Sequence, residues 1–186
     1  MRKIAALLLT SLVASPVMAN SDPAAEPRSI VKEFGGQLVP TLKNSMKENG
    51  PVGSIDVCHI KAPAIAKELS LKHNWDVNRV SLKPRGATAT PDAWETATLK
   101  WFEQQIAAGA DPKKLEKFEI VRENGKEVKR YMKPVMTAGL CLTCHGTDTQ
   151  IPDAVKQKIA EVYPNDKATG YGTGQVRGAF SFQKAN

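Results

Sequence analysis

The chain has 186 residues and a formal charge of +7, from 26 Lys and Arg against 19 Asp and Glu. It is 41% hydrophobic and 24% charged, with 13 Gly and 12 Pro, a balance that excludes disorder, collagen and coiled coil and suits one compact domain. Three cysteines are too few for a disulfide-built scaffold.

Residues 1–19 have the make-up of a secretory signal. Arg2 and Lys3 form a basic start, residues 4–13 are a mostly apolar run, and Val17-Met18-Ala19 offers a cleavage site. The run is too short for a bilayer, which needs roughly 20 residues. The expectation is a periplasmic protein with no stable membrane insertion after cleavage. Residues 20–28 then form a flexible spacer, and residues 29–186 a single domain. Losing Arg2 and Lys3 lowers the charge from +7 to +5, a mild excess that is usually solvated surface. It argues only weakly for an acidic partner and hardly at all for nucleic acid, so no nucleic-acid partner is expected.

From Ser29, the residues Ile30, Phe34, Leu38, Leu42 and Met46 recur every four positions and predict a long amphipathic helix, ended by Asn49-Gly50-Pro51. Ile55, Cys58, Ala62, Ile65 and Leu69 form a second helical stripe. Pro63 interrupts it, so either the helix kinks there or a new one begins. Residues 75–91 are polar and read as turns. Thr90-Pro91-Asp92 predicts the start of a helix, with Thr90 as N-cap and Trp94, Ala97 and Trp101 on one face.

The period then changes. Residues 118–135 contain Asn124-Gly125, the strongest short hairpin signal. A two-residue turn there pairs Glu123 with Lys126, Arg122 with Glu127, Val121 with Val128, Glu119 with Arg130 and Phe118 with Tyr131. Three of those pairs are oppositely charged, one is aliphatic and one aromatic, so any other register loses most of them. Residues 151–163 predict another amphipathic helix, residues 165–174 a Gly-rich loop, and residues 176–182 a closing strand. Helices first and strands later make this an α+β domain.

Cys141-Leu142-Thr143-Cys144-His145 is C-x-x-C-H, the attachment signature of a c-type haem. Two sulfurs at this spacing reach the two vinyl groups of one porphyrin, and the adjoining histidine is placed to bind its iron. The expected roles are Cys141 and Cys144 as thioether links and His145 as proximal ligand of one covalent haem c. A zinc site would want four ligands, and Cys58, His59 and His73 match no standard finger spacing. A thiol-disulfide oxidoreductase using Cys141 and Cys144 without haem is the alternative. It gains nothing from the trailing histidine.

Cys58 is left without a disulfide partner and lies on the apolar face of its helix. Two readings stand: a small core residue, or a thiolate on the sixth coordination site. His59 is rotated about 100° from that face. All five methionines precede the motif, unlike the downstream methionine of the common small cytochromes.

Across roughly residues 30–182 the sequence resembles the PAS-like monohaem c-type cytochromes long labelled a domain of unknown function. The resemblance rests on Cys58 followed by Ala62-Pro63-Ala64-Ile65-Ala66, then Arg79-Val80-Ser81-Leu82-Lys83-Pro84-Arg85 and Pro91-Asp92-Ala93-Trp94-Glu95. Further on come Tyr131-Met132-Lys133-Pro134, the stretch Cys141 to Gly146, Gly170-Tyr171 and Arg177-Gly178-Ala179. Gly86-Ala87-Thr88-Ala89 departs from the Asn-rich turn of the family. The resemblance implies a PAS-like antiparallel sheet flanked by helices and carries the sixth-ligand role onto Cys58.

Haem propionates need cationic neighbours, for which Arg79, Arg85 and Lys133 are the candidates. Trp94, Trp101 and Tyr131 are candidates for the haem wall or the core. An anionic thiolate ligand stabilises ferric iron, so a low reduction potential is expected. With protein ligands on both faces the chain is expected to act in electron transfer or in redox or gas sensing, not as an enzyme. Its partner is then a redox protein or a membrane receptor.

Overall fold

The computed structural model describes residues 22–185; the signal-like residues 1–19 lie outside the described residues. Helix α1 (Ala25–Glu48) is followed by the short α2 (Gly50–Gly53) and a π-helical turn (Val57–Lys61) that runs directly into α3 (Ala62–His73). Strand β1 (Asp76–Val80), helix α4 (Ala93–Ala107) and the hairpin β2 (Lys117–Glu123) and β3 (Lys126–Met136) come next. Short α5 (Leu142–His145), α6 (Asp153–Val162) and β4 (Val176–Ala185) complete the chain. The four strands form one antiparallel sheet in the order β1-β4-β3-β2. It is an α+β fold with helices on both sheet faces and a long N-terminal helix.

The sheet alternates its side chains between two cores. On one face Val77, Tyr131 and Phe182 pack against Ile30 and Phe34 of α1 and Ala62, Ile65 and Leu69 of α3. On the other, Val80, Met132 and Ala179 meet Leu99 and Phe102 of α4. A smaller third cluster joins Ile55 to Ile151, Val155 and Ile159, with Cys144 and Tyr163 packed on it.

The hairpin has the register expected from its charge pairs, from Phe118↔Tyr131 to Glu123↔Lys126. Asn124 and Gly125 both take positive φ (50° and 78°), as the turn that matches strand twist demands.

Of four expectations, three need correction. Helix α1 begins at Ala25, inside the stretch expected as spacer, where Ala24 and Pro27 are buried. The expectation of a new helix at Pro63 holds to within one residue, since α3 starts at Ala62 with Pro63 in its first turn. The wide π turn closes just upstream, with Ala62 N–H bonded to Val57 O, so the missing proline donor falls at the second position of α3. Within residues 75–91, Asp76–Val80 is a strand. Its polar sequence hides it, but pairing to β4 supplies the ladder bonds that propensity does not. Finally, Asp92 caps α4. Its carboxylate accepts the Glu95 N–H at 2.8 Å, and the Glu95 carboxylate accepts the Asp92 N–H at 2.8 Å. The buried face of α4 is Thr98, Leu99 and Phe102, with Ala97 exposed and Trp94 and Trp101 half-buried.

Far from the cysteine motif, the Arg28 guanidinium clasps the Glu116 carboxylate, with Nε at 2.8 Å from Oε1. The Tyr131 hydroxyl donates to the same carboxylate at 2.9 Å. The Arg28 bond holds the Glu116 carboxyl below its usual range, and the Tyr131 bond adds to this against the opposing effect of burial. A depressed folded-state pKa stabilises above the unfolded value, about 4.3, and that contribution is lost as pH falls through the folded value. Glu116→Gln is therefore expected to lose about 1 kcal/mol at pH 7. The difference from the parent should shrink below about pH 4 when urea unfolding is compared at both pH values.

Candidate functional site

Two chain segments far apart in sequence meet at one end of the sheet. The first is the π turn carrying Cys58. The second is Gly139–Cys141 and α5, which present Cys141, Cys144 and His145. All three cysteines are free and half-buried. Cys58 lies within electrostatic reach of Cys144, Arg79 and Tyr163. Burial pushes the Cys144 thiol up from its ordinary pKa, with Arg85 opposing and Cys58 and Cys141 adding to the rise.

His145 is the best-defined group. Its Nδ1 is 2.8 Å from the Ala168 carbonyl oxygen. A carbonyl only accepts, so Nδ1 carries the proton and Nε2 keeps its lone pair free for a metal. The ring is held neutral: burial pushes its pKa down to about 2, and Arg177 and Arg85 push the same way. The backbone closes the arrangement, with Tyr171 N–H on the His145 carbonyl at 3.0 Å and Gly170 N–H on that of Gly146 at 2.7 Å.

Three arginines surround these groups. Arg85, from the loop after β1, donates to both Asp166 oxygens at 3.0 Å and to the Cys144 carbonyl at 2.6 Å. Arg79, on β1, stacks on Phe34 at 5.2 Å. Arg177, at the start of β4, places Nε 3.2 Å from His145 Nδ1. Among the described residues, no salt bridge joins a carboxylate to Arg79 or Arg177. Burial lowers the pKa of both. A half-buried cation without an acid partner, such as Arg79, is what an anionic ligand would complete. A cavity of about 220 Å³ lined by Ile151, Ile159, Tyr163 and Asp166 opens beside the cluster.

A family model, Tll0287-like, matches residues 5–184. The chain belongs to the Tll0287-like family. Its fold is similar to the crystal structure of the cyanobacterial heme-protein Tll0287, with a TM-score of 0.69 at 20% sequence identity, over 90% of this chain and 98% of that one. No curated protein matches. The resemblance carried by the sequence motifs is borne out as to family and fold.

The structure of this Tll0287-like chain gathers six of the eight expected site residues: Cys58, Arg79, Arg85, Cys141, Cys144 and His145. Lys133 and Tyr131 stand elsewhere. The Lys133 ammonium donates to the carbonyls of Lys113 and Leu115, at 2.9 and 3.3 Å. Tyr131 is fully buried between the sheet and α1, with its hydroxyl on Glu116. Both follow from β3 pairing with β2, which turns their side chains toward the segment before that strand. Trp94 belongs to the α4 layer, donating to Glu119 at 2.8 Å with Arg130 4.5 Å over its ring. Among the described residues no three of His, Cys, Asp and Glu converge as a bare metal ion would require.

Ala168, Asp166, Tyr171 and Arg177 were not assigned a role by sequence reasoning. The stretches Gly170-Tyr171 and Arg177-Gly178-Ala179 carried part of the resemblance, and that was the available signal. Gly178 shows why the last stretch is restricted. A Cβ there would lie 2.4 Å from the Val80 carbonyl oxygen and 3.2 Å from Ser81 Cβ. Gly178→Ala is expected to destabilise by about 1–3 kcal/mol, read as a lower urea midpoint, because β4 must move away from β1.

Proposed function

We propose that this chain is an exported monohaem c-type cytochrome, with its iron between His145 and Cys58, that transfers electrons at low potential. The observation that carries this reading is the state of His145. It directly follows Cys141-Leu142-Thr143-Cys144, with Nδ1–H committed to a backbone carbonyl and Nε2 left free. Metal-binding histidines are held in this way.

The remaining residues fit the group. Cys141 and Cys144 have the spacing for two thioether links. Arg79 supplies a cation for a propionate, while Arg85 is occupied by Asp166. Cys58 is the cysteine left over, within electrostatic reach of Cys144 and Arg79. A bound haem would supply one-electron iron chemistry. A thiolate from Cys58 would stabilise the ferric state, and protein ligands on both faces would leave substrate no position, so turnover is not expected. The dithiol alternative is poorly served, because burial raises the Cys144 pKa where a reactive thiol needs it lowered.

Redox or gas sensing is the second reading, favoured by the π turn that bears Cys58. Such turns are locally adjustable and recur at functional sites. Protonation of the Cys58 thiolate on reduction would free a position for CO or NO. An unchanged thiolate-type spectrum in reduced, CO-exposed protein would count against it.

The test of covalent attachment is a denaturing gel stained for haem, run on protein exported with the haem-maturation machinery. The parent is expected to stain, and the double variant Cys141→Ala, Cys144→Ala is not. A colourless parent contradicts the proposal.

A further inference from the structure

We infer that Arg177 tunes the His145 imidazole: its guanidinium, held 3.2 Å from Nδ1, sets a positive charge beside the ring and raises the reduction potential of the centre. This rests on His145 being an iron ligand, as proposed above.

The guanidinium is itself held firmly. Besides Nε at 3.2 Å from His145 Nδ1, its Nη1 donates to Ser81 Oγ at 3.0 Å. Ser81 Oγ in turn donates to the Arg177 carbonyl at 2.8 Å and lies 3.2 Å from the Tyr171 hydroxyl. The Arg177 guanidinium also stacks 5.1 Å above the Tyr171 ring. That ring stands nearly perpendicular to the His145 ring, with centroids 6.4 Å apart. A rotamer-rich side chain with these restraints has a defined position and direction.

Two influences then meet at Nδ1 with opposite signs. The Ala168 carbonyl pulls on the Nδ1 proton, which increases electron donation through Nε2 and favours ferric iron. The guanidinium places a positive charge against the same atom, which opposes build-up of negative charge on the ring and favours ferrous iron. No salt bridge among the described residues neutralises Arg177, whereas the neighbouring Arg85 charge is matched by Asp166. Arg177 therefore offsets the low potential that a thiolate and a carbonyl-bonded imidazole would otherwise set.

The experiment is a redox titration with ferric EPR on exported, haem-loaded parent, Arg177→Gln, Arg177→Lys and Ser81→Ala. Arg177→Gln is expected to shift the ferric-to-ferrous ratio at a fixed potential about tenfold toward ferric, about 59 mV for one electron. Its EPR g-spread should change because the imidazole donates differently. Arg177→Lys should restore most of the potential, and Ser81→Ala should shift both readouts in the direction of Arg177→Gln, by less. An unchanged potential in Arg177→Gln overturns the inference. A lowered potential with an unchanged g-spread also overturns it, since that marks a propionate contact and not an imidazole one. If Arg177→Gln fails to accumulate, Ser81→Ala with parental potential and g-spread overturns it instead. A colourless parent refutes the cytochrome reading and the inference with it. A parent with cysteine and histidine ligation whose variants do not move refutes the inference alone.

Discussion

Replacing Cys58 with alanine is expected to leave the haem attached while raising its reduction potential by on the order of 0.1 V, a fraction of the ~0.8 V range that axial ligands span. On the proposed reading Cys141 and Cys144 would be consumed by the two thioether links, and an anionic sulfur from Cys58 would be the strongest donor left in the cluster. Arg79 lies within electrostatic reach of that sulfur. Tyr163 records the same neighbour: burial, followed by Cys58, pushes its hydroxyl up to about 12. Removing the sulfur should therefore remove the thiolate-type ferric EPR signal and open the iron to exogenous imidazole or CO. Cys58 is half-buried and in a π turn, so the fold itself should lose only about 1 kcal/mol. A Cys58→Ala protein with parental EPR and potential would show that another group holds the sixth position.

The second large effect concerns Arg85. Its side chain and that of Asp166 are each only 10% exposed, and they pair through two bonds of 3.0 Å. Arg85 also bonds the carbonyls of Cys144 and Ala168, at 2.6 and 3.3 Å. It thereby ties the C-x-x-C-H segment to the loop that orients His145. Arg85→Leu leaves the Asp166 carboxylate buried without its cation and is expected to cost about 3–5 kcal/mol. The Asp166 Oδ1 still accepts the Ala168 N–H at 2.8 Å, so the damage should centre on the carbonyls that Arg85 held. Combining Arg85→Leu with Asp166→Leu removes both charges, and the pair should cost much less than the sum of the single changes. Urea unfolding of the four proteins measures that coupling. Additive costs would mean that the ion pair does not staple the site.

The sequence was most informative where local chemistry decides the outcome. The β2–β3 register followed from cross-strand charges and from Asn124-Gly125, because a two-residue turn leaves one pairing. The adjacency of Cys141, Cys144 and His145 needed no fold at all. Strand β1 was hidden because Asp76, Asn78 and Arg79 break the apolar alternation, and only β4 makes the segment extended. The α4 cap was misplaced for a related reason: Thr90 and Asp92 are both good caps, but only Asp92 has Glu95 three residues on. Lys133 and Tyr131 looked like cofactor contacts because a sequence does not show that β3 lies between β4 and β2, where both side chains reach the segment before β2. Arg177 lies 32 positions from His145, and its role depends on β4 docking beside β1, which no local pattern encodes.

Iron-edge X-ray absorption on the exported ferric protein tests the central claim most directly. The account predicts one iron per chain with five nitrogen neighbours near 2.0 Å and a single sulfur near 2.3 Å, judged from ordinary metal–ligand lengths. Six nitrogen neighbours would contradict the role of Cys58, and a protein without stoichiometric iron would contradict the account as a whole.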